Sequence, residues 1–598
     1  MIYNPLDNFY KSQIGAVKAN SKIKIRVKGD FNSVILRCKK DGQDYASFTM
    51  RKTDNYFEVD LCLEKGLYFY HFDLCNGQYI SNSYDYIGIL SNAKEDFQLT
   101  VYGDDFEVPS WLSGGVIYQI FPDRFCRCEE QKQIPSYKVL HENWQETPVF
   151  MPNAQGEIVN NDFFGGDLKG ITSKLDYLVS LGVNAIYLNP IFKAFSNHRY
   201  DTGDYMQIDD LLGDKNDFVE LIKNAKQKGI KIILDGVFNH TGDDSLYFNK
   251  YNRYDSLGAY QSKESKYYNW YNFTNFPNEY DSWWGIMTLP AINEDNDDYI
   301  HFITGENGVI DYYTKLGVGG WRLDVVDELP SEFVKSIRNA VKRADNDAII
   351  IGEVWEDASN KISYGNRREY FQGKELDSVM NYPLKNAIIE FVKNGNSEFL
   401  LHTIKEQMDH YPQKALHSLM NILSTHDTAR ILTVLGGESA DGKDKITLSK
   451  LKISPNQMES AIFKLKVATT LQFTLCGVPS IYYGDEVGME GYADPLNRCT
   501  FPWGNENTEI LEWYKFLSNL RKEISAFKMG DFEQIYCDKG VFIFKRLDEK
   551  SQVLVCINIS SNNFYFEFDG NLKELITKKT YTNNYVFNSQ TIAIFIKD

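Results

Sequence analysis

Arg322 and Asp324 stand two residues apart in the string Gly320-Trp-Arg-Leu-Asp324, and on an extended strand that spacing sends both side chains to one face. A guanidinium beside an aspartate favours the ionised acid, the form that acts as a nucleophile at neutral pH. A strand-end ion pair with no catalytic role would look the same. The company of the pair separates the two readings. Asp235-Gly-Val-Phe-Asn-His240, Gly352-Glu-Val-Trp-Glu-Asp357 and Ser424-Thr-His-Asp-Thr-Ala-Arg430 also close short apolar runs and also carry carboxylates, histidines and an arginine. So many charges gathered at one strand-end face would cost too much desolvation to be kept without a use.

Elements must bring these four motifs together. Apolar runs at Ile117 to Phe121, Ala185 to Leu188, Ile230 to Val237, Trp321 to Val326, Ala348 to Val354, Val379 to Tyr382, Leu419 to Leu423 and Ile481 to Tyr483 read as eight strands. Amphipathic stretches alternate with them. In Asp217 to Lys228, for example, Phe218, Leu221, Ile222 and Ala225 share a face and Gly229 marks the end. Eight such units predict an α/β fold, a (β/α)8 TIM barrel over residues 109–524, whose strand ends converge on one mouth. The aromatic stretch at about 241–296 is too long for a plain loop and reads as a subdomain inserted after the third strand, walling a cleft. Before the barrel, alternation such as Ile23, Ile25 and Val27 predicts an N-terminal β-sandwich over residues 1–108. After it, Val541 to Phe544, Val553 to Ile557, Phe564 to Phe568 and Thr591 to Ile596 predict a C-terminal antiparallel β domain over 525–598, expected to be a second sandwich.

Bulk properties exclude several classes. A net charge of −18 argues against nucleic acid and anionic membranes as partners, because both call for a basic face. No leader-like or membrane-length apolar run is found, and nine scattered cysteines, an odd number, do not suggest a disulfide framework, so the cytoplasm is the expected location. Cys126 and Cys128 have no second Cys or His pair near them in sequence, which argues against zinc.

From Tyr118-Gln-Ile-Phe-Pro-Asp-Arg-Phe125 through the four rim motifs to Gly477-Val-Pro-Ser-Ile-Tyr-Tyr-Gly-Asp-Glu486, the chain resembles the α-amylase family, glycoside hydrolase family 13. The resemblance implies that Asp324 is the nucleophile, Glu353 the general acid/base and Asp427 the carboxylate that stabilises the transition state. It also implies that His240 and His426 hydrogen-bond the hydroxyls of the glucose being cleaved. The residues agree independently of the family. A retaining glycosidase needs one ionised and one protonated carboxyl about 5–5.5 Å apart. Arg322 is expected to keep Asp324 charged, and Glu353 is followed by Val354 and Trp355, apolar neighbours that favour a protonated acid.

Further residues resemble the neopullulanase, cyclomaltodextrinase and maltogenic amylase branch. Ser196 to Tyr205 is similar to the segment that sets a histidine and a stacking tyrosine, here His198 and Tyr200, against that glucose. Trp355 matches the branch's tryptophan after the acid, and Asp494 and Arg498 match its closing pair on the non-reducing side, where a surface ion pair is the plain alternative. Leu289-Pro-Ala-Ile-Asn293 departs from the branch's usual Met-Pro-Lys-Leu-Asn. The branch often binds calcium beside a Phe-Gly-Gly-Asp segment. Phe164-Gly-Gly-Asp167 is present, but the partner loop reads Cys126-Arg-Cys-Glu-Glu-Gln-Lys132, short of the six or so oxygens that calcium takes, so the metal is expected to be lost. The implied activity is retaining hydrolysis of α-1,4 bonds, and also of α-1,6 bonds, in maltooligosaccharides, cyclodextrins or pullulan, with no cofactor and with a homodimer as in the branch. An α-1,6-specific or transglycosylating enzyme, and a non-catalytic glucan-binding protein, are the alternatives.

Overall fold

The structure, a computed structural model, describes residues 1–128 and 133–597. Eight parallel strands form the central sheet: β1 (Ile117–Ile120), β2 (Ala185–Leu188), β3 (Lys231–Gly236), β4 (Gly320–Leu323), β5 (Ile349–Gly352), β6 (Ser378–Val379), β7 (Met420–Asn421) and β8 (Val478–Tyr482). Their order is β6-β5-β4-β3-β2-β1-β8-β7, and a parallel bridge between Met380 and Met420 joins the two ends into a barrel. All eight expected strands are present, but the sixth is only Ser378–Val379, with Tyr382 of the expected run opening a helix, and the eighth starts three residues earlier than expected, at Val478.

Side-chain alternation explains the closure. Ile117, Ala185, Tyr187, Ile233, Ile349 and Ile351 belong to the small cluster that fills the barrel interior, while Ile186, Leu188, Ile232, Leu234, Trp321 and Ile350 join the larger core beneath the helices. The expected helix α1 runs Lys215–Gln227; Asp214 and Asp217 form a reciprocal cap at its start, and Gly229 (φ 74°) turns the chain into β3. Five more long helices are α2 (Ser331–Ala344), α3 (Tyr382–Asn394), α4 (Ser397–His410), α5 (Pro455–Thr474) and α6 (Thr508–Glu523).

The N-terminal sandwich is a seven-stranded sheet over a three-stranded one, with Ile23, Ile25 and Val27 of strand Lys22–Lys28 buried between them. At the C-terminus the six strands are hydrogen-bonded in one continuous antiparallel order, not as two separate sheets. One face of this sheet, including Phe542, Phe544 and Val555, packs on the barrel's core, and the other holds Ile543, Cys556, Phe587 and Phe595 in a core of its own. The insertion after β3 carries little regular structure beyond the hairpin of Phe273–Asn275 and Glu279–Tyr280. Most of its rings, such as Tyr247, Phe248, Trp270 and Tyr271, are spent on its own packing.

Candidate active site

The barrel ladder continues one step past its strands and fixes the rim. Asp324 N–H donates to Gly236 O at 3.1 Å and Glu353 N–H to Leu323 O at 3.1 Å, so the ends of β3, β4 and β5 are held in register where the acids emerge. Just after Asp324 the chain turns through Val325 in the left-handed region (φ 38°), a strained choice for a β-branched residue. That turn aims Val325 N–H at Glu353 Oε2, 2.9 Å away.

Arg322 lies at the centre, wholly buried. Its Nη1 donates to Asp324 Oδ1 at 2.7 Å and to Asp235 Oδ1 at 2.8 Å, and its Nη2 lies 2.9 Å from Glu353 Oε2. One guanidinium thus faces three carboxylates. Burial pushes Asp324 well above the ordinary carboxylate range, and Arg322 opposes it only in part, with Glu353 and Asp235 adding repulsion. The expectation that Arg322 alone holds Asp324 ionised is therefore too simple: one cation among three buried acids leaves a cluster that retains protons. The surroundings expected of Glu353 also differ. Val354 points away into the core, and Trp355 meets Glu353 through its indole N–H (Nε1 to Oε1, 3.2 Å), so the acid sits between two donors, Val325 N–H and the indole, beside the Arg322 charge, rather than in an apolar cradle.

Asp427 faces this cluster from β7's rim, a third of its side chain open to the cleft; desolvation by the surrounding protein raises it too, against Arg498 and Arg322. His426 Nε2 lies 3.2 Å from Asp427 Oδ2 and 2.5 Å from the Tyr200 hydroxyl, and its ring stacks on Tyr200 at 5.2 Å. Tyr200 and Tyr187 both donate to Asp235 Oδ2, at 2.8 and 2.6 Å. The other imidazole nitrogen of His426 meets Gln119 Nε2 at 2.9 Å. His240 stacks against Trp283 (5.3 Å); among the described residues its buried nitrogens make no well-aligned hydrogen bond, and burial, opposed by a backbone contact with Tyr200, pulls it down to about 4. A neutral imidazole with both nitrogens unpartnered is set to bind a hydroxyl.

His198 and Tyr200 sit at the tip of a hairpin between Phe192–Ala194 and Thr202–Ile208. Arg199 between them has φ 61° and is buried on Asp209 (3.0 Å), which fixes the turn and sends its two neighbours toward the cleft. Arg498 bridges Asp494 (2.8 Å) and Asp427 (3.7 Å) while its Nε donates to His426 O, so this pair is more than a surface contact on the arginine's side, although half of the Asp494 side chain is exposed. Trp355 is 46% exposed and lies flat on Tyr382 at 3.9 Å. All the residues expected at the site therefore meet at one mouth.

Others there were not foreseen. Asp235 stands in a rim motif already quoted, and Tyr382 opens α3 three residues past β6, the one strand among β3 to β7 that no motif marked. Trp283 and Trp284 lie in the insertion. Both indole N–H groups bond Glu328, at 2.9 and 2.8 Å, and Trp284 remains 78% exposed. A doubled tryptophan in an aromatic stretch was the available signal.

The calcium expectation can be set against the donors present. Asp167 Oδ1 accepts from Gly170 N–H at 2.6 Å, capping a short helix, and Oδ2 accepts from Cys128 N–H at 3.2 Å. Asp123 is taken by Phe164 N–H, Gly165 N–H and Arg124. Among the described residues these oxygens accept hydrogen bonds from the fold; residues 129–132 of the loop lie outside the described residues.

A barrel with three acids, two histidines and a buried arginine at its C-terminal mouth defines a class of glycoside-acting proteins. Comparison with known proteins makes it particular. Residues 119–511 match the alpha amylase catalytic domain. The chain is 37% identical to an amylopullulanase of Thermoanaerobacter thermohydrosulfuricus, over 90% of this chain and 40% of that one, and 35% identical to a cyclomaltodextrinase of Thermoanaerobacter pseudethanolicus, over 79% and 75%. The type III pullulan hydrolase from Thermococcus kodakarensis superposes along the whole of both chains, with TM-score 0.70 and 26% identity. The chain belongs to the α-amylase family. It spans 34–46% of the length of the amylopullulanases it matches, and no helix among its described residues is long and apolar enough to cross a membrane.

Proposed function

We propose that the chain is a retaining α-glucan hydrolase cleaving α-1,4-glucosidic bonds, and also α-1,6 bonds, in maltooligosaccharides, cyclodextrins or pullulan. Relatives named amylopullulanase, cyclomaltodextrinase and neopullulanase support the substrate class. The observation that carries the reading is the Arg322 guanidinium held between Asp324 and Glu353, with Asp427 opposite. An Asp324 oxygen attacks the anomeric carbon as Glu353 gives its proton to the departing glycosidic oxygen, forming a covalent glycosyl-enzyme. Glu353, now a carboxylate, takes a proton from water, whose oxygen displaces Asp324 and restores the α configuration. His240, His426, His198 and Tyr200 hold the sugar's hydroxyls and ring.

Asp324→Asn tests the reading: turnover of maltotriose and pullulan should fall by at least about 10⁴-fold, as when a nucleophile is removed, with folding intact. Full turnover in that variant would overturn it. An α-1,6-specific or transglycosylating enzyme is the second reading, favoured by the altered Leu289 to Asn293 segment, where Ala291 bridges His240. Chromatography of pullulan digests separates these, because panose, isopanose and maltotriose report different bonds.

No metal takes part in this proposal. Asp167 as a helix cap supports it, and loss of activity on chelation, restored by calcium, would contradict it. The family likeness is the support for a homodimer in which one subunit's sandwich covers its partner's mouth, and a monomer by sedimentation at micromolar concentration would remove it; the scattered cysteines support a cytoplasmic location.

A further inference from the structure

The segment that carries Glu353 does not end at the cleft. From β5 it continues through Trp355 and Asp357 to Asn360, and there it is gripped by parts of the molecule outside the catalytic motifs. Gln98, in the last strand of the sandwich, donates from Nε2 to Ser359 Oγ at 2.8 Å and accepts at Oε1 from Asn360 Nδ2 at 2.8 Å. The end of α4 forms the other jaw. Asp409 is paired, fully buried, with Lys11 from the N-terminal segment. His410 Nδ1 meets Asp357 Oδ2 at 2.6 Å, and its Nε2 meets the hydroxyl of Tyr86, a sandwich residue, at 3.2 Å. The Tyr411 hydroxyl accepts from Ala358 N–H at 3.1 Å, while its carbonyl accepts from Ala16 N–H at 3.1 Å. Three consecutive residues therefore tie to the sandwich side, and two of them also reach the acid's loop.

We propose that His410 and Gln98 form a clasp through which the N-terminal sandwich sets the position of Glu353, with His410 as a positioning residue. The proposal rests on the reading of Glu353 as the general acid. In the joint of Gln98, Ser359, Asp357 and His410 the polar partners are in place, and such a joint defines one geometry, because any displacement leaves a donor or acceptor unpaired. Asp357 is spent on this role: beyond His410 it accepts from Ser359 N–H (2.8 Å) and Ser359 Oγ (2.7 Å). The groups facing the imidazole are Asp357 from the loop, Tyr86 from the sandwich, and Glu406 and Asp409 from its own helix. Burial disfavours the charged ring, yet Asp357, with Asp409 and Glu406 behind it, outweighs this and holds His410 above its ordinary value, while Asp357 is held below its own. Asp357, Glu406 and His410 offer ligand atoms within 4.8 Å of one another, but both ring nitrogens are already engaged, so the cluster serves as a hydrogen-bonded joint and not as a metal site.

A misplaced acid has a signature that general loosening lacks. It slows substrates whose leaving group needs a proton and spares those whose leaving group does not. His410→Gln should lower kcat/KM on maltotriose about ten-fold, a fraction of the roughly 10²–10⁴ that a positioned acid supplies, and leave kcat/KM on α-maltosyl fluoride within about two-fold, because kcat/KM reports formation of the glycosyl-enzyme and not the water attack in which Glu353 serves both substrates as base. Gln98→Ala, made in the sandwich, should give the same selective loss, about three-fold on maltotriose, since small displacements of a reacting group are costly. Should His410→Gln fail to fold, the Gln98→Ala result decides alone. Equal losses on the two substrates, or none on either, overturn the clasp. Glu353→Gln run in parallel separates the layers: if it shows no selective loss on maltotriose, the reading of Glu353 as the acid falls; if it does and the clasp variants do not, only the clasp falls.

Discussion

Two wholly buried arginines sit at opposite ends of the barrel, and their surroundings differ completely. Arg322, at the C-terminal mouth, touches Asp324, Asp235 and Glu353. Arg521 in α6, at the other end, pairs with no carboxylate among the described residues. It donates to backbone carbonyls only: Gly115 at 3.0 Å, Phe473 at 3.0 Å, Phe527 at 2.9 Å, and Gly477. Surrounding acids raise Arg322 despite its burial, whereas burial, with Arg546 nearby, lowers Arg521. Carbonyls at the end of α5 are orphans that any buried helix terminus must satisfy, so Arg521 ties the end of α5 to the segments that enter β1 and β8 and to Phe527. Carboxylates crowded round Arg322 satisfy no such need. An excess of buried charge over what the fold requires marks the site, more than burial itself does.

Substitutions can sharpen or break this contrast. Arg322→Lys replaces a two-pronged cation with a point charge that cannot face three acids, so kcat should fall at least about 100-fold, the scale of losing one preorganised electrostatic contact, with the thermal midpoint nearly unchanged. Arg521→Met should do the reverse: hydrogen bonds from charged donors are worth about 1.5–3 kcal/mol, so calorimetry should show a lower midpoint while kcat stays within about two-fold of the parent. A large loss of kcat in that variant, at a temperature where it is folded, would erase the distinction. A smaller effect concerns pH. Asp324 must be ionised to attack, and its raised value places the acid limb of the rate profile above the ordinary carboxylate range. Asp235 adds to that rise by repulsion and draws on the same guanidinium, so Asp235→Asn should lower the value and move the acid limb to lower pH. A limb that stays put, or moves up, would count against a shared cation. The least effect is expected at Asp494, half exposed at the rim: Asp494→Asn should raise KM by no more than about five-fold, as exposed ion pairs contribute roughly 0–1 kcal/mol, and leave kcat alone.

Much of this was legible in the residues. Continuous apolar runs at Ile230 to Val237 and Ala348 to Val354 named their strands because a barrel strand buried on both faces has little other composition open to it. The Asp324, Glu353, Asp427, His240 and His426 motifs stood at strand ends, where the fold's geometry gathers them. Less legible were residues whose roles depend on distant partners. Nothing near Gln98 or His410 in sequence points to Ser359 or Asp357, and Tyr382 has meaning only once Trp355 lies upon it. The continuous C-terminal sheet was hidden for a related reason: alternation states which face is buried, not which strand lies beside which.

The sequence by itself determined the alternation of strands and helices, the closing of eight units into a barrel, and which residue types stand at its mouth, because each of these follows from local periodicity and from position along a strand. Only the tertiary structure decided how charge is shared among them. That Arg322 answers to three acids, that Glu353 sits among donors instead of apolar groups, and that a loop from the barrel is held by the sandwich all depend on distances between residues far apart in the chain. Electrostatic energy and desolvation are set by those distances and by burial, which no spacing along the chain records.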